Sequence, residues 1–576
     1  MKKFSLLFLI ANVLLALTAC QNNPTDPGNT QYDDDQINIT VDDAMNDNAS
    51  NHEDSSDYIW DSTNVNNIVL NGDAITISGS GVTVDGSIAT ITSGGNYIIS
   101  GTLNDGRIIV DSDDGLTVRL ILNNVNITST TNAPISVSSA EKTVIILADN
   151  TDNYVTDASN YVFDGSEDDE PNAAIFSKDN LSIYGNGSLT IDANYNDGIA
   201  SKDGLVINSG TIHVNAVDDG IRGKDYLVIK TGAITINAGG DALKSDNDED
   251  EDKGYILVED GDIDITCDAD GFDAETDALI MGGTFNVTTG GGSNVTPGES
   301  SAKGIKGGKW VVIDDGTFDI DASDDAIHSN TSIVINSGVY TISTGDDAIH
   351  ADDSIVINDG SIEIVNCVEG IESNVIVVNG GDISVVASDD CFNSTAGTSA
   401  EFDDGSCTYI YGGYIVLTTT GGDGLDSNGS IVMTDGTVIV HGPSNEPEVM
   451  FDYNGTFNIS GGFLVSSGSS SHMTQAPSSS SAQNSLKMMF SSSLTASTIF
   501  HIEDSDGNDV VTFQPVHRYQ SIVFSSSELV KGKTYTVYLG GTSTGENTDG
   551  LYSGGTYSGG TKFTTFTVSG TITLIE

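Results

Sequence analysis

The sequence predicts an all-β chain wound as a parallel β-helix with a small C-terminal β-domain or cap. Three observations carry that reading: a repeat of 22 residues through the middle of the chain, short Val- and Ile-rich runs separated by Asn and Gly, and no segment with the roughly 3.6-residue period of a helix. Taking the second acid of each acidic doublet, or its equivalent, as a marker gives Asp197, Asp219, Asp241, Asp270, Lys303, Asp325, Asp347, Glu369, Asp390 and Asp423. Successive markers lie 22, 22, 29, 33, 22, 22, 22, 21 and 33 residues apart, so the larger departures are insertions of 7, 11 and 11 residues. These fall near SDNDEDEDKG (245–254), GGGSNVTPGESS (290–301) and STAGTSAEFDDGSC (394–407), which read as loops. A repeat of two or three short strands cannot bury its own apolar face, whereas stacked coils can. A β-propeller is disfavoured because its blades need about 40 residues each.

The ends of the chain have a different texture. MKKFSLLFLIANVLLALTAC (1–20) has a basic start and an apolar run too short for a comfortable membrane span, which is the pattern of an export signal. Its end, Leu17-Thr18-Ala19-Cys20, resembles the bacterial lipobox. Cleavage before Cys20 and lipid on its thiol would place an exported protein at the bacterial cell envelope or surface, touching membrane only through that lipid. Residues 20–57 are polar and acidic and read as a flexible tether. The β-helix is expected over 58–468, a Ser-rich linker over 469–485, and the C-terminal β-domain over 486–576. Cys267, Cys367, Cys391 and Cys407 are too scattered for a zinc cluster, and Cys391 with Cys407 is the first pair to test for a disulfide.

The chain carries 20 Lys+Arg against 84 Asp+Glu, a formal charge of −64. So negative a field argues against nucleic acid or anionic lipid as partner and in favour of cations. A monomer is expected. In a β-helix, equivalent residues of successive coils stack about 4.8 Å apart, so columns matter more than linear motifs. The residue two after each marker is apolar throughout (Ile199, Ile221, Leu243, Phe272, Ile305, Ile327, Ile349, Ile371, Phe392, Leu425) and belongs to the core.

The marker column is carboxylate at nine of its ten positions. Two unit charges about 4.8 Å apart repel by roughly 3.5 kcal/mol at an effective dielectric of about 20, so such a ladder calls for cations between its rungs. Oxygen-to-calcium distances of about 2.3–2.6 Å fit one Ca²⁺ between two carboxylates at that spacing. The candidate calcium ligands are Asp218, Asp219, Asp241, Asp268, Asp270, Asp273, Asp324, Asp325, Asp346 and Asp347, with Asx-type turn bonds at strand corners the alternative for any one pair. A calcium rung is doubtful at Lys303, which stands where other coils have an acid. Three residues after the marker the column is Ala200, Arg222, Lys244, Asp273, Lys306, His328, His350, Glu372, Asn393 and Asp426. It is either a solvated face or, through Arg222, Lys224, Lys244 and Lys306, a basic strip for the carboxylates of a uronic-acid polymer. A further column holds Tyr226, Tyr255, Asp277 and Trp310, and its aromatic faces are a candidate platform for sugar rings or a protection for strand edges.

The strings NYNDGIASKDGLVINSGTI (194–212), DDGIRGKDYLVI (218–229), DGFDAET (270–276), AKGIKGG (302–308), DDAIHSN (324–330), DDAIHAD (346–352) and EGIES (369–373) resemble a bacterial exported family of carbohydrate-binding proteins. GKTYTVYLGGTSTG (532–545) and GLYSGGTYSGGT (550–561) extend the likeness to the C-terminus. That resemblance implies a right-handed parallel β-helix similar to pectate lyases, bound calcium, and binding to plant polysaccharides such as cellulose and pectic acid. Polysaccharide binding without catalysis is therefore the leading expectation. A calcium-dependent lyase, with Arg222, Lys224 or Lys244 abstracting the proton, is the alternative, and a structural surface adhesin is a third. Against the lyase, those bases sit in a regular repeat and no break in periodicity singles out one site.

Overall fold

The structure is a computed structural model that describes residues 39–60, 62–163, 170–298, 300–397 and 402–576. The signal segment, Cys20 and the tether as far as residue 38 lie outside the described residues. The described chain forms two compact units, Ile39–Asn330 and Thr331–Glu576. Both are built almost entirely of short strands, and among the described residues the one α-helix is Val41–Ala44. None is long and apolar enough to cross a membrane.

In the unit Ile39–Asn330 the strands stack in parallel, solenoid-like ladders. One ladder runs Ile199↔Ile221, Ile221↔Leu243, Leu243↔Phe272, Phe272↔Ile305 and Ile305↔Ile327. A second runs through Gly204–Ile207, Tyr226–Ile229, Tyr255–Val258, Asp277–Ile280 and Trp310–Ile313. A third takes Thr211–Ala216, Ala233–Ala238, Asp262–Cys267, Thr284–Thr289 and Thr317–Ala322. Residues alternate inward and outward along each strand, and the inward ones (Ile212, Val214, Ile234, Ile236, Ile263, Ile265) are buried. Phe285 stacks on Phe318 in the next rung at 4.7 Å. The second and third ladders are joined through a glycine at positive φ, as at Gly232 (φ 138°), where an added Cβ would lie 2.9 Å from the Gly210 carbonyl oxygen. That conformation and that close approach both require a residue without a side chain. The insertions at 245–254 and 290–301 fall between strands, so Leu243 and Phe272 stay in register across the first and Phe272 and Ile305 across the second.

The stretch read as a tether is, over residues 39–57, part of this folded unit. It crosses the outward face of the second ladder as a strap. Thr40 caps the short helix Val41–Ala44, and the Val41 amide donates to the Asp314 carboxylate at 3.2 Å. Farther along, Asn48 Nδ2 donates to Asp277 Oδ2 (2.7 Å), Tyr255 OH donates to the Ala49 carbonyl (2.9 Å), and the His52 amide donates to Tyr226 OH (2.8 Å). Glu53 pairs with Lys230 and Asp57 with Lys142, each within 2.8 Å. Trp60 ends the strap against Ile121, Val144 and Ile146.

The unit Thr331–Glu576 opens with the same kind of ladder: Ile349↔Ile371, Ile371↔Phe392, Phe392↔Leu425 and Leu425↔Phe451. The Ser-rich stretch read as a linker lies against it instead. Ser478 donates its amide to Phe457, Ala482 and Gln483 donate theirs to Ile459, and Ser469, Ser471 and Ser481 are buried. The last ladder strand, Phe463–Gly468, pairs antiparallel with Tyr519–Ser525, and Val416, Ile439 and Val465 share one core with Leu486, Phe500, Phe524 and Tyr535. The C-terminal strands thus close the open edge of this ladder, the place where an uncovered sheet would recruit other chains. Cys391 and Cys407 are buried and free, as are Cys267 and Cys367.

Candidate functional site

Five marker carboxylates are fixed by what their corners need. The first oxygen of one rung accepts a hydrogen bond from the backbone amide of the next: Asp219 Oδ1 from Asp241 (3.0 Å), Asp241 Oδ1 from Asp270 (2.9 Å) and Asp270 Oδ1 from Lys303 (2.8 Å). In the other unit Asp390 Oδ1 accepts from the Asp423 amide and Asp423 Oδ1 from the Val449 amide, both at 2.5 Å. A short side chain with an acceptor oxygen satisfies an amide that would otherwise be buried unpaired. Asp219, Asp241, Asp270 and Asp423 are consequently buried. Asp218 and Asp268 are exposed, while Asp324 and Asp346 are half-buried.

The second oxygen of these carboxylates is left over from the corner bond, and in Ile39–Asn330 the chain meets it with its own cations. The Lys244 ammonium bonds Asp241 Oδ2 and lies 3.4 Å from Asp219 Oδ2 and 3.6 Å from Asp273 Oδ2. Lys306 sits 3.2 Å from Asp270 and 2.8 Å from Asp273, and Lys303 2.8 Å from both Asp324 and Asp325. Arg222 grips Asp246 through two hydrogen bonds and stands 3.9 Å from Asp197. Burial by itself would lower the Lys244 pKa, but Asp219, Asp241 and Asp273 outweigh it and raise it. Burial, opposed by Lys244, pushes Asp241 up to about 6, and burial with the charge of Asp219 pushes Asp197 up to about 7. Arg222, Lys244 and Lys306, the strip expected to meet an external polyanion, therefore face carboxylates of their own chain. Lys224 is half-buried and has no ion pair among the described residues.

The unit Thr331–Glu576 solves the same problem differently, since no Lys or Arg occurs anywhere between Trp310 and Leu486. Asp347, Glu369 and Glu372 present oxygens within 4.8 Å of one another, and so do Asp423, Asp426 and Asp452. His350 Nδ1 lies 3.5 Å from Asp347 Oδ2. Burial raises Asp390 to about 9, Asp423 to about 8 and Asp426 to about 7. Burial together with Glu369 raises Glu372 to about 9. Asn393 Nδ2 donates to Glu369 Oε2 at 2.8 Å, while Asn393 Oδ1 is buried without a hydrogen-bond partner. Of the ten calcium ligands expected from sequence, Asp346 and Asp347 alone belong to this unit. Asp241, Asp270 and Asp273, expected from sequence, also bring oxygens within 4.8 Å of one another, but with Lys244 and Lys306 among them; Glu369, Glu372, Asp423, Asp426 and Asp452 were not among the expected ligands, and the signal that singles them out is the Lys- and Arg-free stretch itself.

The aromatic column sits under the strap. Tyr226 and Tyr255 are stacked at 5.4 Å and buried, the neighbouring Asp277 is buried, and Trp310 is half-buried. His52 reaches Tyr226 OH with Nδ1 (2.9 Å) and Ser182 Oγ with Nε2 (2.8 Å). Burial, with help from the Lys142 charge, lowers the His52 pKa to about 4. Burial raises that of Asp277, whose Oδ1 has no hydrogen-bond partner of good geometry.

A family model for carbohydrate-binding domain-containing proteins matches residues 85–348 and 346–506. A carbohydrate-binding domain-containing protein of Acetivibrio thermocellus is 49% identical over 201 residues, 35% of this chain and 70% of that one. Among solved structures, a polysaccharide lyase-like protein from C. thermocellum, in a gadolinium derivative, aligns at 33% identity over 52% of this chain and 96% of that chain, with a TM-score of 0.36.

Lys244→Met keeps the side-chain stem and removes the charge shared by Asp219, Asp241 and Asp273. The variant should lose about 3–5 kcal/mol at pH 8, the usual result of breaking a buried pair from one side. A carboxyl whose folded pKa is raised contributes stability that is lost as pH rises through that pKa, so the deficit should shrink at pH 5. Denaturation curves at the two pH values check this, and equal stability of variant and wild type at pH 8 would contradict it.

Proposed function

The chain belongs to the family of carbohydrate-binding domain-containing proteins, and from that premise we propose that it binds polysaccharide without catalysis, as an exported protein anchored by lipid at Cys20. The family match across the strand ladders is the observation that carries this reading. The ladders themselves read as a right-handed β-helix with a coil of about 22 residues, supported by register partners such as Ile199↔Ile221 and Ile349↔Ile371. The preferred ligand class is plant or acidic polysaccharide, and the alternatives are a pectate-type lyase and a structural adhesin.

The ion pairs favour binding over elimination. A lyase base must be neutral to take a proton, whereas Lys244 is held protonated by three carboxylates and Arg222 is clamped on Asp246. Lys224 is left as the single nominated base outside the acid column, with no ion pair among the described residues that would orient it. The adhesin reading requires no glycan affinity and is separated by a binding assay.

Calcium belongs to the same proposal, with its sites placed in the unit Thr331–Glu576. The donors there are carboxylate oxygens, and hard oxygen donors suit Ca²⁺. Asp347, Glu369 and Glu372 would hold one ion and Asp423, Asp426 and Asp452 another. When bound, the ion supplies the positive charge that Lys244 and Lys306 supply in the other unit.

Two measurements test the proposal. Incubation with polygalacturonate in calcium should give co-sedimentation without absorbance growing near 235 nm (about the wavelength of unsaturated uronate products); sustained product formation would establish the lyase, and absence of binding to any soluble or insoluble glycan would remove polysaccharide binding. Chelation tests the ions. Glu372, Asp390 and Asp423 have folded pKa values of about 9, 9 and 8 against roughly 4 in the unfolded chain, so without cation their stabilising contribution is lost as pH rises across that window. In EDTA the melting temperature should fall steadily from pH 5 to pH 9, and calcium should flatten the decline. A melting temperature indifferent to both pH and calcium would refute the ion sites.

A further inference from the structure

The strap covers its face with the wrong kind of chain for a permanent seal. The face offers the stacked Tyr226 and Tyr255 and, on the same side of the same strands, the buried Val228 and Leu257. What lies over it is NDNASNHEDSSD (46–57), twelve residues with no apolar side chain larger than Ala. Apolar anchoring comes at the two ends, from buried Val41 and from Tyr58 and Trp60, of which Tyr58 packs edge-on against Tyr184 at 4.7 Å. Between them the contacts are those a carbohydrate makes: hydrogen bonds to both tyrosyl hydroxyls, an amide donor on the Asp277 carboxylate, and carboxylates on Lys230 and Lys142. Asp277 lies in line with Tyr255 and Trp310, and its Oδ1 is buried beneath the strap with no well-placed donor. Tyrosyl hydroxyls flanked by a carboxylate and lysines suit a chain of sugar rings, whose rims are hydroxyl and whose acids are uronates.

We propose that residues 46–57 are a displaceable self-ligand, holding the place of an acidic glycan on the face formed by Tyr226, Tyr255 and Asp277, with Glu53 and Asp57 occupying the lysine positions that uronate carboxylates take. The inference rests on the polysaccharide-binding reading and adds to it where the glycan sits and what keeps it out. Binding exchanges one set of hydrogen bonds and ion pairs for another on the same face, and the strap swings away on its anchored ends. Free protein is thereby spared an exposed aromatic patch.

The test uses the full chain with hexagalacturonate. Amide hydrogen exchange over 46–57 should speed up when the oligomer binds, and Glu53→Gln with Asp57→Asn, which loosens the strap and leaves Tyr226, Tyr255, Lys142 and Lys230 intact, should bind roughly fivefold more tightly. Asp359→Asn with Glu363→Gln removes the same charge from exposed positions elsewhere and should bind as wild type does. Binding by the loosened chain alone would support the proposal equally. Binding with unchanged exchange, or an equal gain in the charge control, would overturn the strap while leaving polysaccharide binding intact. No binding by any of the three chains would overturn both.

Discussion

A corner aspartate with two unequal oxygens is the constraint on which most of this molecule depends. One oxygen closes the backbone of the next rung by accepting its amide, so the residue cannot be dispensed with without burying an unpaired donor. The other oxygen brings a charge into a place where water is scarce, beside the same charge from the rung above and the rung below. The hydrogen-bonding role and the electrostatic cost come from one side chain. A solenoid that repeats the corner repeats the cost, and each added rung needs added positive charge.

The two units meet that need from different sources. In Ile39–Asn330 the residue three positions after the marker is Arg or Lys in three rungs (after Asp219, Asp241 and Lys303), and its side chain spans neighbouring rungs, as Lys244 does between Asp219 and Asp273. In Thr331–Glu576 the same position is His350, Glu372, Asn393 or Asp426, which adds acceptors where the other unit adds cations. Protons alone would leave that unit dependent on acidic pH, because its carboxyls are pushed up into the range of about 7 to 9. A hard divalent cation, as proposed above, would remove that dependence. The acid column of Ile39–Asn330 finds its counter-charges within the polypeptide, whereas that of Thr331–Glu576 has no Lys or Arg in its ladder to supply them.

Much of the ladder was legible from sequence, because a stacking rule with a fixed beat leaves little freedom. The residue two after the marker pairs with its counterpart in the next rung even across insertions, as Leu243 with Phe272 and Phe392 with Leu425 show. The partners of the acids were not legible to the same degree. Arg222, Lys244 and Lys306 were read as an outward column, either a solvated face or a strip for a polyanion, whereas they pair with acids of their own or neighbouring rungs. That reach across rungs is a property of stacking that a linear motif does not display. The strap was missed for another reason: a polar, acidic segment carries the composition of a tether whether or not a basic and aromatic face awaits it. Lys142 and Lys230, which hold it, lie 85 and 177 residues away in sequence from Asp57 and Glu53.

We propose that the corner column is neutralised by lysine and arginine in one unit and by bound divalent ions in the other. A crystal structure determined after soaking in calcium, with anomalous scattering used to locate the ions, addresses it directly. Ions are predicted at Asp347, Glu369 and Glu372 and at Asp423, Asp426 and Asp452, and none beside Lys244, Lys303 or Lys306. Ions seated against those lysines, or both carboxylate clusters without an ion in a well-ordered crystal, would contradict it.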